Sequence, residues 1–143
     1  MPIKSFRGLI TDNTQDTISL HTNDGSTGYR IKTFQVVHEN EADDLSATIK
    51  IFSIPQTAQS ATIDFSDQTL LAACAYRSNK TDTGLSVTTI VFDNMTFNQD
   101  IYITYRDNET ADKEVNYYIE LEQIKLDLNE NTVATLKDIR NLA

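Results

Sequence analysis

Residues 115–128, VNYYIELEQIKLDL, decide the fold, because the two halves of this stretch place apolar side chains on opposite faces of a strand. The odd-numbered apolar set is Val115, Tyr117, Ile119 and Leu121, and the even-numbered set is Ile124, Leu126 and Leu128. Side chains of a strand alternate between faces with a period of two. A straight strand would therefore leave one set in water, and we predict a bulge or bend near Glu122 and Gln123.

Leaving the second set in water would cost about 1.5 to 3 kcal/mol per side chain, a large share of a total stability of about 5 to 15 kcal/mol. The tail NTVATLKDIRNLA at 131–143 predicts a short C-terminal helix. Asn131 can cap it, and Val133, Leu136 and Ile139 share one side. Cover by this helix is the simplest solution, and cover by a neighbouring subunit is the alternative.

Strand patterns dominate the rest of the chain. Candidate strands are IKSFRGLI (3–10), LSATIKIFSI (45–54), ATIDF (61–65), LSVTTIVF (85–92) and DIYITYR (100–106). The stretch TISLHTNDGSTGYRIKTFQVV (17–37) predicts a hairpin, because Asn and Gly supply the conformations that tight turns need. SDQTLLAACAY (66–76) fits either a helix capped by Ser66 or an irregular strand.

Apolar side chains also change face within YRIKTFQV (29–36) and TIKIFSI (48–54), which favours curved sheets. Together these patterns predict one all-β domain over residues 1–143. The predicted architecture is an antiparallel β-sandwich, jelly-roll-like, with a short C-terminal helix.

Charge and composition narrow the possible partners. The chain of 143 residues carries 12 basic and 21 acidic side chains, a net charge of −9, so nucleic acid is not an expected partner. Lys4 and Arg7 interrupt any secretory signal, and no apolar run is long enough for a membrane span, so we expect a protein that is neither secreted by a signal peptide nor embedded in a membrane, and we expect no membrane partner. Cys74, in LLAACAY, is predicted to be a buried and inert thiol.

No motif in the sequence indicates catalysis or a cofactor. His21 and His38 are isolated from other metal ligands, and the acidic loops at 39–44 and 107–114 lack the calcium-loop pattern. We therefore predict a protein that is not an enzyme and has no cofactor. The six tyrosines leave a carbohydrate-binding module as an alternative, and of the adjacent Tyr117 and Tyr118 one should pack in the core while the other faces solvent or a partner.

Four stretches resemble small virion structural proteins of marine tailed bacteriophages, especially those that infect cyanobacteria. The stretches are IKSFRGLI (3–10), TNDGSTGYRI (22–31), FNQDIYITY (97–105) and residues 116–143 from NYYIELEQ onward. The resemblance implies a β-rich virion subunit that is made in the host cytoplasm and assembled without a membrane, and it supplies no active-site residues.

Among virion roles we favour a capsid decoration protein that binds the major capsid protein or other virion proteins and forms homo-oligomers. A neck, tail or baseplate component is the alternative. The predicted interface consists of Phe6, Tyr118, Ile124, Leu126 and Leu128, and simple core packing is the competing interpretation for each of them.

Overall fold

The structure, a computed structural model, describes residues 3–20, 27–40, 45–78, 85–92, 95–108 and 113–125. These residues form eight strands: β1 (Ile3–Ile10), β2 (Thr14–Ile18), β3 (Thr27–His38), β4 (Leu45–Phe52), β5 (Leu70–Ser78), β6 (Leu85–Val91), β7 (Ile101–Asp107) and β8 (Val115–Lys125). The described part of the chain contains no helix. The helix predicted at 131–143 lies outside the described residues.

The strands form two antiparallel sheets, one with the order β1-β8-β3 and one with the order β2-β7-β4-β5-β6. Side chains from both sheets meet in one hydrophobic core, to which the smaller sheet contributes Phe34 and Ile119 and the larger sheet contributes Ile49 and Ile103. The prediction of an all-β protein with antiparallel sheets is confirmed.

The central strand of the smaller sheet, β8, buries the odd-numbered set of apolar side chains. Val115, Ile119 and Leu121 are fully buried in the core. The predicted bulge near Glu122 and Gln123 is wrong, because β8 keeps a regular register with β3 through both residues and with β1 as far as Glu122. Alternation therefore places Ile124 on the outer face of the sheet, where it is half-buried. Leu126 and Leu128 lie outside the described residues.

The irregularity lies instead in β3, opposite β8. The register of this pair shifts between Ile31 and Thr33, so one extra residue enters β3. The extra residue reverses the alternation: Tyr29 and Ile31 point into the core before it, and Phe34 and Val36 do so after it. The predicted change of face in residues 29–36 is confirmed, and a bulge is its physical cause.

The second stretch in which apolar side chains were predicted to change face, residues 48–54, instead has buried apolar side chains on both faces of the sheet. Ile49 and Ile51 point into the core, whereas Phe52 pairs with Tyr102 on the outer face of the larger sheet. Phe52 is nevertheless only 5% exposed. The β4–β5 register does shift between Ile51 and Phe52, but the outward Phe52 is buried by cover on that face.

The predicted hairpin at 17–37 is wrong. Strand β2 pairs with β7 in the larger sheet, whereas β3 pairs with β8 in the smaller sheet. Leu20, just after β2, is held by a hydrogen bond from its N–H to Oδ1 of Asp100 (3.0 Å). A turn-rich connection is compatible with a hairpin or with a crossing between sheets, because local turn chemistry does not choose the pairing partner.

Two further local predictions are resolved by sheet position. Of the two readings of residues 66–76, the strand is correct, since Leu70–Ser78 forms β5 between β4 and β6. Its continuous apolar run suits a strand that is covered on both faces. The strand predicted at 61–65 is wrong, because this segment forms no strand and exposes Ile63 and Phe65.

Candidate interaction surfaces

Residues 53–69, which we call the strap, cross the outer face of the larger sheet. At the β2 edge, Gln56 N–H donates to Oε1 of Gln15 (2.7 Å). At the central strand β4, Lys50 Nζ donates to the carbonyl oxygen of Thr62 (2.6 Å). These contacts fix the strap to the sheet at β2 and at β4, with β7 between them.

Lys50 in β4 connects the strap to the larger sheet beneath it. Its side chain is only 6% exposed, and Nζ lies 5.4 Å from the ring centroid of Phe52 and 3.3 Å from Oγ of Ser60. Burial lowers the pKa of Lys50, and the negative charge of Asp67 opposes this shift. A buried lysine of this kind needs the hydrogen bonds that the strap provides.

Near the β6 end of the sheet, the strap presents an aromatic side chain to solvent. Phe65 is 54% exposed and packs edge-on against Phe92, with 5.3 Å between the ring centroids. The preceding residue, Asp64, accepts hydrogen bonds from the N–H (2.9 Å) and the hydroxyl (2.6 Å) of Ser66. These bonds hold the carboxylate and lower the pKa of Asp64. Phe65 is thus an exposed aromatic residue on an ordered turn.

The outer face of the smaller sheet carries a groove of about 510 Å³. Its floor is β8, and its walls are β1 and β3. Two cross-strand rows line it: Arg7, Tyr118 and Gln35 in one row, and Leu9, Asn116 and Val37 in the next. The two aliphatic residues at the rim are strongly exposed, Leu9 at 45% and Val37 at 51%.

Tyr118 in the groove floor is oriented by its neighbour along β8. Its hydroxyl donates to Oε2 of Glu120 (3.1 Å), and this hydrogen bond raises the pKa of Tyr118. Hydrogen bonds from Thr33 and from Tyr118 lower the pKa of Glu120. The aromatic ring therefore lies beside a carboxylate that stays ionised.

The structure separates the residues of the predicted interface. Tyr118 and Ile124 lie on the outer face of the smaller sheet and are half-buried. Phe6 pairs with Ile119 and packs against the core, on the opposite face. Leu126 and Leu128 lie outside the described residues. The prediction that Tyr117 and Tyr118 point to opposite faces is confirmed, since Tyr117 is buried among core residues. Phe65 was not among the predicted interface residues, because the alternation in ATIDF is typical of a strand that turns Ile63 and Phe65 toward a core.

Tyr117 links the two sheets across the core. Its hydroxyl donates to Oδ2 of Asp16 in β2 (3.1 Å), and its ring lies against the backbone of Gly8 in β1. Burial, with the nearby Asp16 carboxylate, raises the pKa of Tyr117 from 10.0 to about 12. Burial likewise raises the pKa of Tyr105, helped by the charges of Asp107 and Asp12.

Replacing Tyr117 with phenylalanine should cost about 1 kcal/mol of stability at neutral pH, because the bond to Asp16 is lost. The unfolded state ionises near pH 10.0 and the folded state near pH 12, so the wild type loses stability as pH rises through this window. We expect the wild type to lose about 2 kcal/mol relative to Tyr117→Phe and become the less stable protein near pH 12. Urea titrations at both ends of the window measure this, and an unchanged difference would contradict it.

Cys74 and His38 are both buried side chains. Cys74 is buried, and burial raises the pKa of its thiol, as expected for an inert cysteine. His38 is buried, and its Nδ1 accepts the N–H of Asn40 (3.2 Å). His21 lies outside the described residues. Within the ranges that the structure describes, no group of His, Cys, Asp and Glu side chains could hold a metal ion.

Comparisons with protein-family models, with curated proteins and with solved structures return no match. A search of the described residues for a helix able to cross a membrane also finds none.

Proposed function

We propose that this chain is a non-enzymatic structural protein of a tailed bacteriophage virion, a decoration protein that binds the capsid shell through the strap. The observation that carries this proposal is Phe65, which is 54% exposed on an ordered turn. Aromatic side chains that are held rigidly at the surface are typical binding hot spots, because little side-chain entropy is lost on burial.

The strand order supports the same proposal. Pairing of β1 with β8, β2 with β7 and β4 with β5 matches three of the four nested pairs of an eight-stranded jelly roll, an architecture common in viral capsid domains, whereas β3 and β6 lie in different sheets. We propose a jelly-roll-like sandwich in which β6 pairs with β5 at the edge of the larger sheet. We further propose that residues 131–143 form the short helix that covers the end of the smaller sheet near Ile124.

Shell binding through many identical copies needs only a modest contact per copy. The strap suits such a contact, because its aromatic residue is exposed while the turn beneath it is fixed by Asp64 and Lys50. The resemblance to marine phage virion proteins is the reason for proposing that the chain is part of a virion. A place in the neck, tail or baseplate is the runner-up, and the same surface could serve there.

A carbohydrate-binding role is the second candidate, and the groove on the smaller sheet favours it. The Tyr118 ring lies between Arg7 and Gln35, with Asn116 in the next row. An aromatic platform beside amide and guanidinium donors is a suitable set for a sugar. Retention on a glycan column that is lost in Tyr118→Ala would support this role.

Quantitative mass spectrometry of purified particles tests the virion assignment. A shell protein should be present at on the order of hundreds of copies per particle, whereas a component of the tail axis should be present at about a dozen or fewer. Absence of the polypeptide from purified particles would overturn the virion assignment.

Replacing Phe65 with serine should weaken binding to undecorated capsids by at least about ten-fold, because the exposed ring is the proposed hot spot. Phe65→Leu should retain most of the binding, since it keeps apolar area. Val37→Ser is the matched control, because Val37 is equally exposed, at 51%, but lies on the other sheet. Co-sedimentation with capsids measures the binding. Loss of binding in Val37→Ser alone would show that the groove, and not the strap, contacts the capsid.

A further inference from the structure

Strand β6 (Leu85–Val91) is an edge strand without charged side chains. It pairs with β5, and no other strand among the described residues pairs with its second edge. The other edge strands carry charges, such as Lys4 in β1, Asp16 in β2 and Arg30 in β3, whereas LSVTTIV in β6 has none. Charges on edge strands prevent pairing between proteins, and β6 lacks this protection.

The hydrogen-bonding groups of β6 alternate in direction. Phe92 N–H, which continues the ladder beyond Val91, donates to the carbonyl oxygen of Leu71 in β5 (3.1 Å). In an antiparallel ladder the residues that bond to one neighbour alternate with those that face the other side. The N–H groups of Val87 and Thr89 therefore point away from β5, toward the open edge.

Residues 86–90 of β6 are exposed, and they lie on both faces of the sheet. Val87 and Thr89 share the face of Cys74 and Tyr76, which belong to the core. Val87 is nevertheless 43% exposed, and on the opposite face Ile90 is 37% exposed. β6 therefore presents outward N–H groups with which no other strand of the described ranges pairs, together with exposed β-branched side chains, and an added strand would cover both.

We propose that β6 pairs antiparallel with β6 of a second copy of this chain, about a two-fold axis at Thr88. This register brings Val87 opposite Thr89 of the second copy, so that outward N–H and carbonyl groups meet on both strands. It also places the small Ser86 opposite the larger Ile90. The pairing makes one continuous sheet from the larger sheets of both copies.

A second copy fits this edge because of both charge and pattern. Each chain carries a net charge of −9, so two copies repel one another except where a contact is free of acidic groups. The seven residues of β6 provide such a contact. The two-fold axis at Thr88 places Val87 of each copy opposite Thr89 of the other copy. The outward N–H and carbonyl groups of one strand therefore meet those of the other. The inference concerns the free protein and does not depend on the capsid assignment.

Oxidative cross-linking of Thr88→Cys tests the register. At the two-fold axis, the two Thr88 residues form a pair without mutual hydrogen bonds, with Cα atoms about 4.5 Å apart, which is within the range that a disulfide spans. The only native cysteine, Cys74, is buried and gives little background. Ser86→Cys is the matched control, because the two Ser86 residues would lie about 13 Å apart along the paired strands.

We expect rapid formation of a disulfide-linked dimer by Thr88→Cys and little by Ser86→Cys. Equal cross-linking rates for the two variants would overturn the proposed register. A wild-type protein that sediments as a monomer at its highest soluble concentration would overturn the pairing itself. A dimer that forms while Thr88→Cys stays uncross-linked would show that the contact lies on another surface.

Val87→Pro tests the backbone pairing. Proline removes the outward N–H of Val87 but leaves the ladder to β5 intact, and edge strands tolerate it. We expect the dimer dissociation constant from sedimentation equilibrium to rise at least about ten-fold. Val87→Thr, which keeps the N–H and the β-branched shape, should dimerise like the wild type. A circular dichroism spectrum confirms folding of each variant, and if Val87→Pro fails to fold, the cross-linking comparison still decides. A folded Val87→Pro that dimerises with unchanged affinity would overturn the proposal.

Discussion

Replacing Gly8 with valine should lower the free energy of unfolding by about 2 kcal/mol, because there is no room for a side chain on the core face of β1. A Cβ atom at this position would meet the Tyr117 hydroxyl oxygen at 2.6 Å and the ring carbon Cζ at 2.8 Å. The Tyr117 ring is buried and held by Asp16, so it cannot move without losing that hydrogen bond. Overpacking of this kind costs about 3 kcal/mol, and the lower entropy of the unfolded chain offsets about 1 kcal/mol.

Urea denaturation followed by circular dichroism measures the effect of Gly8→Val. Arg7→Val is the matched control, because it places the same β-branched residue on the outward face of the same strand, and it should change stability by about 0.5 kcal/mol or less. Equal stability of Gly8→Val and the wild type would mean that the Tyr117 ring has another position within the core.

Replacing Lys50 with alanine should have the largest effect on stability, about 3 kcal/mol. The substitution removes three buried methylene groups, each contributing about 0.8 kcal/mol, and a hydrogen bond to Thr62 that contributes about 1 kcal/mol. It also frees the middle of the strap. We therefore expect faster proteolytic cleavage within residues 53–69, in addition to a lower urea midpoint.

Lys50→Met separates the contribution of the side-chain stem from that of the charge. Methionine keeps most of the buried apolar volume and avoids burial of an ammonium group, so it should cost about 1 kcal/mol or less. Because the folded protein lowers the pKa of Lys50 below 10.5, the unfolded state binds more protons in the window between the two pKa values. Wild-type stability relative to Lys50→Met should therefore rise with pH toward 10.5. A flat difference, or equal losses in the Ala and Met variants, would contradict this account.

The strap and the β6 edge suggest a division of contacts in the assembled protein. Phe65 lies on the outer face of the larger sheet, while β6 ends that sheet at its open edge. Pairing of two copies along β6 would repeat the strap surface about a two-fold axis. Two linked Phe65 contacts bind more tightly than one, which is an advantage for a subunit of modest contact area.

The sequence by itself determined the β class, the strands β1, β4, β6, β7 and β8 within a few residues, the burial of Cys74 and the reversal of side-chain parity in residues 29–36. These properties follow from the local alternation of apolar and polar residues and from residue type, both of which can be read directly from the sequence. It did not determine which strands pair. The turn signals between β2 and β3 predicted a hairpin, but each strand found its hydrogen-bonding partner in a different sheet.

Only the tertiary structure decided where the second apolar face is covered. Above Phe52 lies the ammonium group of Lys50, 5.4 Å from the ring centroid, and this group donates a hydrogen bond to the carbonyl oxygen of Thr62 in the strap, twelve residues away. In the smaller sheet the extra residue lies in β3 and not in β8, so β3 changes the side chains that it turns to the core while β8 alternates without interruption. Exposure of Phe65 and of the β6 edge likewise depends on where other strands end. Those strands are distant in the sequence, so the local pattern does not predict this exposure.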